Sequence, residues 1–131
     1  MNRNSVMKTL TTVVARILFS LPFFVFGVLH FAAADNMAMA VPSFLPGGVI
    51  WIYLTGLGLI AGAVSLWIQK WTKEALYGIS IFLISAIAMV HVPGLSNPDP
   101  MMQQMSMSGL FKDLGLLGGA LAYLGVYTNK Q

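Results

Sequence analysis

Residues 48–69 read GVIWIYLTGLGLIAGAVSLWIQ, and no acidic or basic side chain occurs anywhere from Asn36 to Gln69. A helix needs about 20 mostly apolar residues to cross the hydrocarbon of a bilayer. This stretch supplies them, so lipid is the solvent in which the rest of the chain is read. Outward from it, Ile17–Ala34, Ala75–Pro98 and Leu114–Asn129 are equally free of Asp, Glu, Lys and Arg. Backbone polar groups in hydrocarbon find no water, so such segments are helices. The short alternating strands of a membrane barrel are absent. The expected fold is all-α, a polytopic four-transmembrane-helix bundle. It forms one domain over residues 1–131, with helices at about 13–34, 48–69, 75–92 and 110–127.

Charge orients the bundle. Arg3, Lys8, Arg16, Lys70, Lys73 and Lys130 fall on one side of this arrangement and only Lys112 on the other. Basic residues favour the cytoplasmic side, which places both termini there (N-in/C-in) and predicts a multi-pass membrane protein. The segments Asp35–Gly47 and Pro93–Gly109 then face outward. The net charge of +3 fits this anchoring. No basic patch interleaved with aromatics points to nucleic acid. The first apolar run, after a basic start and before Ala32-Ala33-Ala34, has features of a signal peptide. It is longer than the usual ~7–15-residue apolar core and reads as a retained helix.

The chain has no cysteine, which excludes disulfides, thiol redox cycling, c-type haem attachment and thiolate metal sites. No P-loop, GxSxG or HExxH occurs, and no pair of carboxylates stands at a useful spacing. Helix association in lipid depends on close packing at small residues. Gly58 and Gly62, with Ala61 beside them, and Gly115 and Gly119 are the expected packing faces. Ser80, Ser85 and Ala86 could serve the third span. Pro22 is expected to bend the first span and to free a carbonyl near Leu18. Trp51, Trp67, Trp71 and Tyr77 fall where an interfacial aromatic belt is expected.

Ionisable groups at membrane depth mark functional sites. His30 and His91 sit near the outer ends of the first and third spans, which run in the same direction, so both imidazoles reach one leaflet. Neutral imidazole ligates haem iron or a divalent metal, and it can also donate a ring proton to a quinone oxygen. The alternative is an interfacial histidine bonded to a backbone carbonyl. Met101, Met105 and Met107, with Met102, crowd the outer segment before the fourth span, and Met37 and Met39 lie in the other. Thioether is a soft ligand for Cu(I), so His30, His91, Met101, Met105 and Met107 form a candidate metal set. Methionine is also a flexible filler, and Met101–Gly109 reads equally well as an amphipathic surface segment. Arg16, one turn inside the first span, either snorkels to the interface or reaches into the bundle. It is counted with His30 and His91 as a candidate ligand-binding residue. Asp35 and Asp99 read as turn residues. Asp113, near the expected start of the fourth span, suits the positive end of that helix. Lys112 and Asp113, adjacent in sequence, are not expected to face one another.

Phe26-Gly27-Val28-Leu29-His30-Phe31, then Val41-Pro42-Ser43-Phe44-Leu45-Pro46, then Tyr53-Leu54-Thr55-Gly56 resemble the DoxX-like family of small four-helix bacterial membrane proteins. Arg16 matches an arginine often seen early in that family's first helix. The resemblance covers Arg16 to Leu66. It implies a bacterial inner membrane and a redox context, since some relatives are small subunits of quinone-reducing oxidases and others belong to oxidoreductase assemblies. Relatives often carry an acid soon after the YxxG glycine. Here that place reads Leu57-Gly58-Leu59, a drier interior.

Three functions follow. The first is an accessory or quinone-associated redox subunit rather than an enzyme acting alone. The second is a structural or assembly subunit, with other membrane subunits or a second copy as partner. The third is a copper or haem binder at the outer side. A transporter fits less well, because four short spans without an interior charge offer no ion path unless a dimer builds one.

Overall fold

The computed structural model describes residues 2–129. Lys130, counted above with the basic side, lies outside them. Four helices are long and apolar enough to cross a membrane: α1 (Arg3–Ala32), α3 (Val49–Ile68), α4 (Thr72–Gly94) and α5 (Pro100–Asn129). A short helix, α2 (Ala34–Ala38), follows α1. No strand occurs among the described residues.

Two helices begin earlier than hydropathy indicates, and capping explains both. Asn2 Oδ1 accepts from the Ser5 N–H at 2.8 Å, so the polar stretch before Val13 is already helical. Asp99 Oδ1 accepts from the Met101 N–H at 3.0 Å. Asp99 followed by Pro100 is thus an N-cap with proline in the first helical position. The consequence is a correction: Met101–Gly109 is the opening of α5, a helix about 45 Å long, and not a surface segment before it.

The α1–α3 crossing is built on glycine. A Cβ on Gly27 would lie 2.8 Å from the Gly56 carbonyl oxygen, and one on Gly56 would lie 2.7 Å from the His30 Cβ. Of the packing glycines expected from sequence, Gly62 meets Ile79 and Gly119 meets Phe19, while Gly58 and Gly115 face open space. The core between the helices is Phe23, Leu59, Ala63, Leu66, Leu76, Ile79, Leu83 and Ala120. Trp67 is part of this packing and not of an interfacial belt. Its indole N–H donates to Ser20 Oγ, and its ring stands 5.1 Å from that of Phe24.

A tight turn joins α3 to α4. Gln69 and Trp71 both take left-handed backbone angles, with φ of 58° and 55°. Neither is glycine, so the turn carries strain. α1 continues through Pro22. Near the end of α4 the helix widens into a π turn over Ile87–His91. In a regular α-helix the Pro93 ring would press on the Met89 carbonyl, four residues back. The wider turn gives that ring room and ends on His91.

Candidate ligand-binding site

From the Gln69–Trp71 turn, α3 and α4 pack together at Gly62 and Ile79, where a Cβ on Gly62 would lie 3.3 Å from the Ile79 side chain. At Gly58 and Gly78 a Cβ would meet nothing within 4 Å, so the two helices leave a gap. The result is a groove of about 970 Å³. It runs from Trp71 and Glu74 near the turn to His30, His91, Met37 and Pro42 at the far end. Its walls are apolar side chains of α3 and α4, among them Ile52, Leu59, Ile79 and Phe82. Behind them Phe23 and Phe26 of α1 and Leu116 of α5 complete the lining.

Most of the ionisable groups gather at the far end, with Glu74 alone at the turn. His91 Nε2 lies 2.9 Å from Asp113 Oδ2, with the N–H donating to the carboxylate. Asp113 is only 5% exposed. The Lys112 ammonium stands 3.6 Å from the other carboxylate oxygen and 4.3 Å from the centre of the Phe26 ring. Phe26 also holds the second imidazole: His30 Nδ1 is 2.6 Å from the Phe26 carbonyl oxygen. A carbonyl only accepts, so Nδ1 carries the proton of the neutral ring and Nε2 keeps its lone pair.

The face of α5 explains why His91 fits. Ser106, Gly109, Asp113, Leu116 and Ala120 recur at intervals of three and four, which places them on one side of a helix. A Cβ on Gly109 would lie 2.6 Å from His91 Nδ1. Only glycine there admits the ring beside its carboxylate one turn further on.

The structure therefore brings His30 and His91 to one groove. It adds Asp113 and Lys112, which sequence reasoning assigned elsewhere. Asp113 is not at a helix start. It sits deep in α5 and is buried, and adjacency does not keep it from Lys112, whose flexible chain curls back. The signal was present: Lys112-Asp113 breaks a stretch with apolar residues on both sides, and an acid at membrane depth is costly and marks a paired, inward-facing group.

The remaining candidates lie apart. Arg16 lines a separate hollow with Ile17 and Trp67. Met101, Met105 and Met107 are 69, 61 and 47% exposed and do not line the groove, whereas Met37 and Met89 do. Among the described residues no three His, Asp or Glu side chains are grouped to hold a metal ion. No protein-family model matches the chain, and no curated protein or solved structure matches it either.

Chemically, the polar end offers a cationic donor, Lys112, over the Phe26 ring, and an imidazole acceptor, His30 Nε2, whose Nδ1 is held by the Phe26 carbonyl. Beside them stands the hydrogen-bonded His91–Asp113 pair. The rest of the groove is apolar except for Glu74 at the turn end and the hydroxyls of Thr55, Ser65 and Ser85.

Proposed function

We propose that the protein binds a lipid-soluble molecule of the quinone class in the groove between α3 and α4, as an accessory, redox-associated subunit. The observation that carries this reading is the cluster of His30, His91, Lys112 and Asp113 at one end of a groove that is mostly apolar along its length, with Glu74 the one charged side chain at the other end. A quinone is divided in a like way, into an isoprenoid tail and a ring with oxygens at opposite edges. The Lys112 ammonium suits a carbonyl oxygen, and His30 Nε2 suits a phenolic hydroxyl.

An apolar tail gains little on leaving lipid for a groove, because lipid is equally apolar. Affinity and selectivity then rest on the polar end. This argues for a ligand with hydrogen-bonding oxygens over a simple acyl chain. The DoxX-like resemblance supports the same class, and His30 is one of the residues that carry it. The arrangement of basic residues supports N-in/C-in insertion with the polar end toward the outer leaflet, and the resemblance supports a bacterial inner membrane.

One observation favours an assembly role as a second reading. On α5, Gly115, Gly118 and Gly125 meet nothing within 4 Å of where a Cβ would stand, leaving small residues to face another membrane helix.

The test is purification in a mild detergent, followed by solvent extraction and mass spectrometry of the bound small molecules. A quinone in stoichiometric amount, lost from the variant carrying His30→Ala and His91→Ala, is the expected result. Absence of quinone from wild type, or equal retention by the variant, refutes the reading.

A further inference from the structure

Arg16 has no ion-pair partner among the described residues, and its Nε is buried without a hydrogen-bond acceptor. A guanidinium at membrane depth is costly, and a buried donor without a partner adds to the cost. The groove does not resolve this, because Arg16 does not line it. Along α1, Arg16 and His30 are separated by about 21 Å, which puts them toward opposite ends of the bundle.

The surroundings of Arg16 are fixed. Ser20 Oγ donates to the Arg16 carbonyl at 2.7 Å and accepts from the Trp67 indole, which ties this turn of α1 to the last turn of α3. Between them lies a hollow of about 250 Å³ lined by Arg16, Ile17 and Trp67. Lys70 and Lys73 follow Trp67 around the turn into α4, with Glu74 the one acid beside them.

We propose that this hollow binds the phosphate of an anionic phospholipid, with Arg16 as the phosphate-binding side chain. A planar guanidinium presents several donors in a fork that matches phosphate oxygens. Basic pockets between membrane helices take lipid headgroups in this way. Ile17, next to Arg16 in the hollow, and Leu21, one turn further along α1, are exposed and give the acyl chains an apolar track. Trp67, held by Ser20 in the bundle packing, supplies an aromatic wall of the hollow.

The test uses the full chain, delipidated in detergent, with three probes: phosphatidylglycerol, phosphatidylcholine and inorganic phosphate. Native mass spectrometry reads lipid adducts, and thermal melting reads stabilisation. Wild type is expected to retain phosphatidylglycerol in preference to phosphatidylcholine and to melt higher with it. Inorganic phosphate at the same concentration should do neither. Arg16→Gln should bind phosphatidylglycerol about tenfold more weakly or less, as loss of a charge-assisted hydrogen bond requires. Arg16→Lys, which keeps the charge but not the fork, should fall between. His91→Ala should leave the adduct in place, separating this site from the groove. Equal retention of both lipids by wild type, or an undiminished adduct in Arg16→Lys, overturns the proposal. So does an equal effect of inorganic phosphate, which would make the hollow a free-anion site.

Discussion

Asp113, midway along α5, accepts a hydrogen bond of 2.9 Å from His91 Nε2 at the end of the π turn in α4. The pair joins two helices and fixes the orientation of one imidazole at the polar end of the groove. Asp113→Asn keeps the shape and removes the charge. It should lower the melting temperature in detergent, with a loss of about 1–3 kcal/mol, and weaken quinone binding. Asp113→Leu, which leaves the His91 N–H without an acceptor, should cost at least as much. An Asp113→Asn protein that melts and binds like wild type would show the pair to be idle.

Gly109 gives a test that leaves every polar group in place. Gly109→Ala sets a methyl 2.6 Å from His91 Nδ1, so the ring must move. Binding should drop about tenfold, corresponding to the 1–3 kcal/mol of an overpacked contact. Gly115→Ala, on the same helix with nothing within 4 Å, should leave binding unchanged. The comparison cancels any general effect of alanine on helix propensity. Equal behaviour of the two variants would mean that the position of His91 does not matter.

The crossing of α1 and α3 sets the back wall of the groove. Gly27→Ala places a Cβ 2.8 Å from the Gly56 carbonyl, a backbone atom that cannot step aside. The expected loss is about 1–3 kcal/mol of stability, read by thermal or denaturant unfolding in detergent. Gly58→Ala on α3 should show no such loss, since open space lies beside it.

Strain in the Gln69–Trp71 turn predicts the opposite sign. Gln69 holds a φ of 58°, a region that costs a side-chain-bearing residue about 1–2 kcal/mol. Gln69→Gly should raise the melting temperature, while Gln69→Val, β-branched and worse in that region, should lower it. The order Gly above Gln above Val is the outcome to check.

The fold was legible because its cause is one-dimensional. Charge-free runs of the right length have only one structure in lipid, and residues 48–69 show it without help. Helix ends were less legible, since hydropathy marks where lipid begins and not where hydrogen bonding stops. Asn2 and Asp99 carry that second signal. In the site, His30 and His91 stood out as lone ionisable groups in apolar runs. Asp113 was equally visible and was misread, because the fourth helix was begun ten residues late and the acid then seemed to sit at its start. Gly109 and the π turn were beyond reach, because both have meaning only against a neighbouring helix. The methionine cluster shows the converse: Met101, Met105 and Met107 are conspicuous in the sequence and exposed on α5. Replacing all three with Leu should leave binding in the groove unchanged.

The most direct measurement uses the tryptophans at the groove. Trp51 and Trp71 line it and Trp67 does not. In nanodiscs, a short-tailed quinone titrated into the protein should quench Trp51 fluorescence along a saturable curve, with Trp71 at the turn end of the groove affected less. In Asp113→Asn the midpoint should move about tenfold higher. Quenching that never saturates, or a midpoint unmoved by Asp113→Asn, would contradict a quinone site at the His91–Asp113 pair.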